Sequence, residues 1–165
     1  MKKITISAEL DIFDSVEELP KDVQNLMGNA VEARENSYSP YSKFKVGAAI
    51  YLENGEVITG SNQENASYPA GLCAERTAIF YAGAKHPNVK IQKMALSARS
   101  LNHSVETPTP PCGSCRQAIA EYEVKQEQPI EIYFMGEKGK VVKAQSISDL
   151  LPLILSDMEN PVTLP

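Results

Sequence analysis

The chain has 165 residues, 42% of them hydrophobic, which is enough to bury the core of one globular domain. Its net charge of -5 and the lack of a Lys/Arg cluster argue against a nucleic-acid-binding surface. No apolar stretch approaches the length of a membrane span, and Lys2 and Lys3 are not followed by the apolar segment of a secretory signal.

The secondary-structure pattern predicts an α/β protein. Residues 2–8 alternate around Ile4 and Ile6, which indicates a short strand or an ordered arm, and apolar residues recur at helical spacing from Pro20 to Glu35. The later elements are a loop at 36–44, a hairpin at 44–62 that turns at Asn54-Gly55, a helix at 70–85, a strand at 89–98, a loop at 100–111, a helix at 112–124, one or two strands at 129–144, and a short helix at 146–155 capped by Ser146 or Ser148. This order favours a mixed sheet covered by helices, an α/β sandwich.

All three cysteines lie in two short motifs. Cys112 and Cys115 form a C-x-x-C pair, and Cys73 lies in an earlier helix that begins near it. An odd number of thiols fits a disulfide framework poorly and favours metal or redox chemistry in a reducing cytoplasm. If the two helices begin close together, three thiolates converge and leave one tetrahedral position open, which is typical of catalytic zinc.

Three thiolates give Zn²⁺ a net charge of -1, which weakens it as a Lewis acid. Helix N-termini favour such negative charge. Arg76 and Arg116 directly follow the motifs and could donate hydrogen bonds to the sulfurs, and Arg76 is the favoured charge-neutralising residue. Both arginines could equally be surface residues.

Glu75 lies two residues after Cys73. A carboxylate in the first turn of a helix is common, because acids are stabilised there. Beside an open zinc site, however, it becomes a candidate proton carrier between water, a ring nitrogen and a leaving amine.

These motifs resemble those of the zinc-dependent deaminases, whose signature pairs a Cys- or His-x-Glu motif with P-C-x-x-C. The chain carries "CAE" and then "PCGSC", and the longer blocks "YSPYSKFKVGAAI", "GSNQENASYPAGLCAERTAI" and "PCGSCRQ" resemble the small, all-cysteine cytidine deaminases from about residue 19 to 155. The resemblance implies a single catalytic domain, a three-layer α/β/α sandwich with about five strands, and one zinc ion per subunit. It also implies a homotetramer that converts cytidine and deoxycytidine to the uridines and ammonia in pyrimidine salvage.

The resemblance also implies roles for individual residues. They are zinc binding by Cys73, Cys112 and Cys115, proton transfer by Glu75, ribose binding by Asn62 and Glu64, stacking near the pyrimidine by Phe44, and recognition of the base edge by the backbone around Ala74. Asn62 and Glu64 lie two apart, so their side chains leave one face of a strand. A carboxylate suits hydroxyl groups and repels phosphate, which favours a free nucleoside. An ordinary polar strand end, and core packing for Phe44, are the alternatives.

The sequence departs from the family in a few places. The family often carries, just after "LLP", an aromatic residue that reaches into a neighbouring subunit's site, but Leu155 lies near that place, and Tyr68 is another candidate for reaching across subunits. The loop at 100–111 is longer than typical. Residues 1–18 and the tail at 156–165 fall outside the resemblance.

Other functions remain open from the sequence. The first is a deaminase of the same fold that acts on another aminated ring, such as a nucleoside antibiotic or guanine. The others are an editor of polynucleotides, a zinc-stabilised binding module and a thiol–disulfide protein. The acidic balance and the 7% aromatic content argue against the polynucleotide editor. His86 and His103 lie in loop-like stretches, and nothing in the pattern places them at the metal.

Overall fold

A computed structural model of the protein describes residues 1–155, which form a mixed sheet with helices on both faces. In chain order the elements are β1 (Leu10–Phe13), α1 (Lys21–Glu35), β2 (Phe44–Leu52), β3 (Val57–Ser61), α2 (Ala74–Lys85), β4 (Ile91–Ser100), α3 (Gly113–Gln126), β5 (Glu131–Met135) and β6 (Val141–Ala144). The strand order is β1-β6-β5-β4-β2-β3, with β4 and β5 parallel and the other neighbours antiparallel. None of the helices in this part of the chain combines the length and apolar character needed to cross a membrane.

The sheet separates two apolar layers, as the resemblance implies. Successive residues of β2 point to opposite faces: Ala49 packs in the layer with α1, whereas Ala48 and Ile50 pack in the layer with α2 and α3. Val23 and Met27 represent α1 in the first layer. The predicted α/β/α sandwich is therefore confirmed.

The sheet has six strands where about five were expected, because β1 adds a strand outside β6. The alternation at residues 2–8 does not form a strand among these residues, and the strand begins at Leu10 instead. The pairing partner explains the shift, since β6 has four residues and is matched by Leu10–Phe13 alone.

The predicted hairpin of β2 and β3 is confirmed. Gly55 has φ +87°, a left-handed conformation that glycine adopts without steric cost, and the side chain of Asn54 accepts a hydrogen bond from the Glu56 amide at 3.1 Å. The two strands at 129–144 are also confirmed as β5 and β6.

The predicted helix at 146–155 is wrong. Only a 3-10 turn forms at Ile147–Asp149, where Ser146 and Asp149 complete a capping box. Pro152 has no amide hydrogen to donate, so a regular helix is not favoured beyond this turn. The tail at 156–165 lies outside the described residues.

The topology brings the starts of α2 and α3 to one edge of the sheet. Strands β3 and β4 flank β2 and are both antiparallel to it, so they run in the same direction. Helix α2 follows β3 and α3 follows β4. Both helix N-termini therefore lie at the carboxyl ends of these strands, which is where α/β sheets place their sites.

Candidate functional site

The three thiols meet at the N-termini of α2 and α3. Cys73 and Cys112 are the N-cap residues of the two helices, and Cys115 lies in the first turn of α3. The Sγ atoms of Cys73 and Cys112 are 3.8 Å apart, those of Cys112 and Cys115 are 3.4 Å apart, and all three lie within 4.8 Å of one another. Tetrahedral Zn–S bonds of about 2.3 Å require S···S separations of about 3.8 Å, so the donor set fits a zinc ion.

Hydrogen bonds and nearby charges shift the pKa values of two of the thiols in opposite directions. Hydrogen bonds from Cys115 and Arg76, together with the Arg76 charge, lower the pKa of Cys73 to about 5, although burial opposes this effect. The hydrogen bond to Cys73, burial and the nearby Glu75 charge raise the pKa of Cys115.

The two arginines have different surroundings. The Nη2 of Arg76 lies 3.8 Å from the Cys73 Sγ, in agreement with the contact expected from the sequence. Arg116 instead donates from Nε to the Pro111 carbonyl at 2.8 Å and from Nη1 to the Leu150 carbonyl at 2.6 Å. Arg116 therefore braces the chain around the site, whereas Arg76 contacts a sulfur directly.

Glu75 is buried at the start of α2, with 5% of its surface exposed. Burial is the main cause that raises the pKa of its carboxyl, and the negative charge on Cys73 adds to it. The carboxyl lines the same cavity as Cys73 and Cys112. A buried carboxyl whose pKa is raised in this way is suited to exchange a proton with a neighbouring group.

A cavity of about 860 Å³ opens beside the thiols, within the size range of small-molecule sites. Most of the residues singled out from the sequence line it: Phe44, Asn62, Glu64, Tyr68, Cys73, Glu75, Arg76 and Cys112. Cys115 and Ala74 are both fully buried and do not line the cavity, so contact between the Ala74 backbone and a ligand stays a prediction.

Asn62 uses most of its hydrogen-bonding capacity within the protein. Its Oδ1 accepts from the Ser37 hydroxyl at 2.5 Å and the Val46 amide at 2.8 Å, and its Nδ2 donates to the Phe44 carbonyl at 2.9 Å. One amide hydrogen remains for a ligand. Asn62 therefore fixes the wall of the cavity around Phe44 and has limited capacity to bind a ligand.

Glu64 fixes the rim of the cavity through one of its two oxygens. Its Oε2 accepts from the amides of Tyr41 at 2.9 Å and Ser42 at 3.3 Å. Although burial works in the opposite direction, the hydrogen bonds from Ser42 and the Tyr41 amide lower the pKa of Glu64. The carboxylate is thus ionised, and no described residue hydrogen-bonds to its Oε1.

Aromatic side chains form part of the cavity wall. Phe44 is half-buried, while Tyr68 is 77% exposed and meets Tyr41 edge-to-face with ring centroids 6.1 Å apart. The sequence reasoning did not single out Tyr41, although it belongs to the "YSPYSKF" block. It also missed Thr109 and Pro110, which line the cavity because they directly precede the Pro111-Cys112 pair.

The histidines lie away from the thiols. His86 follows the C-terminal end of α2, and its Nε2 is 3.0 Å from the Glu56 carboxylate. The Nδ1 of His103 is 3.2 Å from the Ser100 hydroxyl. Among residues 1–155, the three cysteines are the group of side chains placed to hold a metal.

Three converging thiols, an adjacent buried carboxyl and an open cavity at one edge of an α/β/α sandwich define a zinc-dependent hydrolase of the deaminase class. The model of the family described as "Cytidine and deoxycytidylate deaminase zinc-binding region" matches residues 20–128. The chain belongs to this family, and its cofactor is zinc, one ion per subunit.

Individual relatives agree with this assignment. The chain is 41% identical to the cytidine deaminase of Halalkalibacterium halodurans over 133 residues, which are 79% of this chain and 92% of that protein. It is 38% identical to the cytidine deaminase of Sporosarcina psychrophila over 131 residues, 79% of this chain and 89% of that protein. The crystal structure of cytidine deaminase from Burkholderia pseudomallei superposes with a TM-score of 0.70 at 36% identity, covering 83% of this chain and all of that one. The Mycobacterium tuberculosis cytidine deaminase structure gives 0.64 at 31% identity, covering 84% and 100%.

Proposed function

We propose that this protein is a cytidine deaminase, a hydrolase that converts cytidine and deoxycytidine to uridine and deoxyuridine in pyrimidine salvage. The placement of buried Glu75 beside Cys73 and Cys112 in one cavity carries the proposal. Hydrolytic deamination needs an activated water and a group that moves protons between that water, a ring nitrogen and the leaving amine. The site supplies both requirements.

Cys73, Cys112 and Cys115 hold the zinc ion. Zinc is the Lewis acid that makes water nucleophilic near neutral pH. The helix N-termini at Cys73 and Cys112 and the guanidinium of Arg76 stabilise the negative charge of the sulfurs. These contacts preserve the acidity of an ion that carries three anionic ligands.

Glu75 is the catalytic proton carrier. Its carboxylate takes a proton from the attacking water, and its carboxylic acid gives that proton to N3 of cytosine as the C4–O bond forms. It then assists protonation of the exocyclic amine, which leaves C4 as ammonia. One water molecule is consumed and one ammonia is released, so the reaction balances without an oxidant or reductant. The raised pKa of the Glu75 carboxyl, caused mainly by burial, suits this alternation because it brings the acid form closer in free energy to the carboxylate.

Glu64 and Asn62, which line the same cavity, are proposed to select a nucleoside. In this proposal Glu64 accepts from a ribose hydroxyl through Oε1, and Asn62 donates its one remaining amide hydrogen to the same sugar. Phe44 packs near the pyrimidine, and the backbone at Ala74 recognises the base edge. The negative charge of Glu64 repels a phosphate, which favours cytidine over its nucleotides or a polynucleotide.

Further features of the proposal concern the assembly. The region from about 19 to 155 acts as one catalytic domain, and the family resemblance supports a homotetramer. Tyr68, which is 77% exposed and lines the cavity, is proposed to contact a neighbouring subunit, since a leucine occupies position 155. The cytoplasm, where thiols stay reduced, is the compartment proposed for a site built on three free cysteines.

A substrate panel tests the function. Purified protein is assayed for zinc per chain and for ammonia release from cytidine, deoxycytidine, cytidine monophosphate, guanine and a single-stranded oligonucleotide, with Cys112→Ser as the matched metal-site control. We expect zinc near one per chain, turnover of the two nucleosides, and loss of both metal and activity in the control. Turnover of guanine alone would assign another ring, oligonucleotide deamination would assign an editor, and zinc binding without any turnover would assign a binding module.

A further inference from the structure

The N-terminal part of the chain presents an apolar stripe that the protein's own fold leaves exposed. The even-numbered positions from 4 to 12 are Ile4, Ile6, Ala8, Leu10 and Ile12. The four large side chains are between 43% and 64% exposed. Even positions of an extended chain share one face, so these residues form a continuous stripe when residues 1–9 continue the direction of β1.

The stripe lies at an open edge of the sheet. The inner edge of β1 pairs with β6, where Leu10 is opposite Ala144 and Ile12 is opposite Val142. In the described part of the chain β1 is the last strand, so its outer backbone groups face away from the sheet. An open edge with apolar side chains is a template for another strand. In the described part of the chain, residues 1–9 form no strand and do not pair with this edge.

This segment lies outside the part of the chain that the family match covers. The family match begins at residue 20, after both the arm and β1. None of residues 1–13 lines the cavity beside the thiols. A role in the chemistry is therefore not needed to explain the stripe.

The charges of the segment indicate its partner. Lys2 and Lys3 lie at one end, and Glu9 and Asp11 lie at the other. Two such segments side by side in parallel would place like charges together, whereas an antiparallel pair places each basic end against an acidic end. The segment is thus complementary to a second copy of itself.

We propose that β1 and residues 1–9 pair antiparallel with the same segment of a second copy, which joins the two sheets across a two-fold axis. A register centred at Ser7 places Ile4 opposite Leu10, Ile6 opposite Ala8, and Lys3 opposite Asp11. In this arrangement residues 1–4 of each copy fill the open edge of β1 in the other. The apolar stripes of the two segments form one continuous surface on the sheet face that also carries Val142.

Particle mass measured by light scattering tests the pairing in the full-length enzyme. Deleting residues 2–9 is expected to lower the mass at least two-fold, with cytidine deamination retained because the arm does not contact the site. Gln145→Ala serves as a control, since it removes the intrachain contact of Asp11 at 3.1 Å and is expected to leave the mass unchanged. An equal mass for the intact and deleted proteins would overturn the proposal.

Charge reversal tests whether the two segments recognise each other through their charges. The variant Lys2→Glu/Lys3→Glu makes the whole segment acidic, and the variant Glu9→Lys/Asp11→Lys makes it basic. Each alone is expected to show the two-fold lower mass, while an equimolar mixture recovers the mass of the unmodified protein. Recovery must disappear when residues 2–9 are deleted from either component. A mixture that stays at the lower mass, or that recovers without the arms, would contradict the proposed pairing.

Discussion

The Nη2 of Arg76 lies 3.8 Å from the Sγ of Cys73, three residues earlier at the cap of the same helix. The Nε of Arg76 is buried and has no hydrogen-bond partner among the described residues. Within residues 1–155 the guanidinium contacts the thiol cluster and forms no ion pair with a carboxylate. Its positive charge offsets part of the excess negative charge that three thiolates bring to zinc.

Substituting Arg76→Ala is expected to weaken zinc binding by about 10-fold or more, the scale found for groups that contact metal ligands. Competition with a chromophoric chelator measures the affinity directly, independently of activity. Arg116→Ala is the matched control, because its guanidinium contacts the Pro111 and Leu150 carbonyls rather than a sulfur. Equal losses of zinc affinity in the two variants would show that the charge at Arg76 has no special role.

Substituting Glu75→Gln is expected to lower kcat by about 10²–10⁴-fold, because an amide of the same shape cannot carry a proton between water and the substrate. Zinc content and melting temperature should stay close to those of the unmodified protein, since the side chain is not a metal ligand. Stopped assays of uridine formation, with metal analysis of the same preparation, provide the measurement. Turnover near the normal rate would assign proton transfer to another group.

Substituting Glu64→Gln is expected to preserve the cavity rim but weaken nucleoside binding. The amide oxygen can still accept from the Tyr41 and Ser42 amides, while an NH₂ group replaces the oxygen that is proposed to bind the sugar. Loss of a hydrogen bond to a charged group corresponds to about 10–100-fold, which we expect in KM for cytidine. Free cytosine, which lacks ribose, is the control substrate, and its kcat/KM should be unchanged. A similar decrease for both substrates would place Glu64 outside sugar recognition.

Gly60→Ala is expected to destabilise the protein because β3 and α2 approach closely at this position. A methyl group at Gly60 would lie 2.6 Å from the Ala78 amide nitrogen and 2.8 Å from the Ala74 carbonyl oxygen. Such overpacking costs about 1–3 kcal/mol and shifts the helix that carries Glu75. Gly28→Ala in α1 is the control, because nothing lies within 4 Å and the helix gains about 1 kcal/mol. Urea unfolding compares the two, and equal stabilities would refute the close packing of α2.

The stability of the protein is expected to depend on Glu35 in a defined pH range. Burial would raise its pKa, but the charges of Arg99, Arg34 and Lys45 outweigh this and lower it from 4.5. Because the pKa of Glu35 is lower in the folded protein than in the unfolded chain, its ionised form stabilises the fold. This stabilisation is fully present at pH values above the pKa in the unfolded chain and is lost as the pH falls through the pKa in the folded protein. Glu35→Gln should therefore reduce the free energy of unfolding at pH 7, by at most about 1 kcal/mol because the carboxylate is partly exposed.

The difference between Glu35→Gln and the unmodified protein should vanish in acid, below the folded pKa. Unfolding curves at several pH values between neutrality and this acidic limit measure the effect. A constant difference across the range would indicate that Glu35 acts through shape rather than charge.

The chemistry of the site could be predicted from the sequence because it depends on local spacing. Cys115 follows Cys112 by three positions at a helix start, and Glu75 follows Cys73 by two, so each motif is formed within one helical turn. The turn at Asn54-Gly55 and the strands around it could also be predicted, because they depend on neighbouring residues. A glycine with positive φ reverses the chain direction at this point. For these elements the determining interactions lie within a few residues in the chain.

Only the tertiary structure could decide the interactions between distant segments. The side-chain amide of Asn62 forms hydrogen bonds with Ser37, Phe44 and Val46. One carboxylate oxygen of Glu64 accepts from the amides of Tyr41 and Ser42, which lie about twenty residues earlier in the chain. The sixth strand likewise exists because β6 offers an edge more than one hundred residues later. Propensity and periodicity do not encode such partners, because pairing over long loops is settled by packing of the whole sheet. The residue types therefore determined which reaction the chain can perform, and the packing determined which side chains remain available to the ligand.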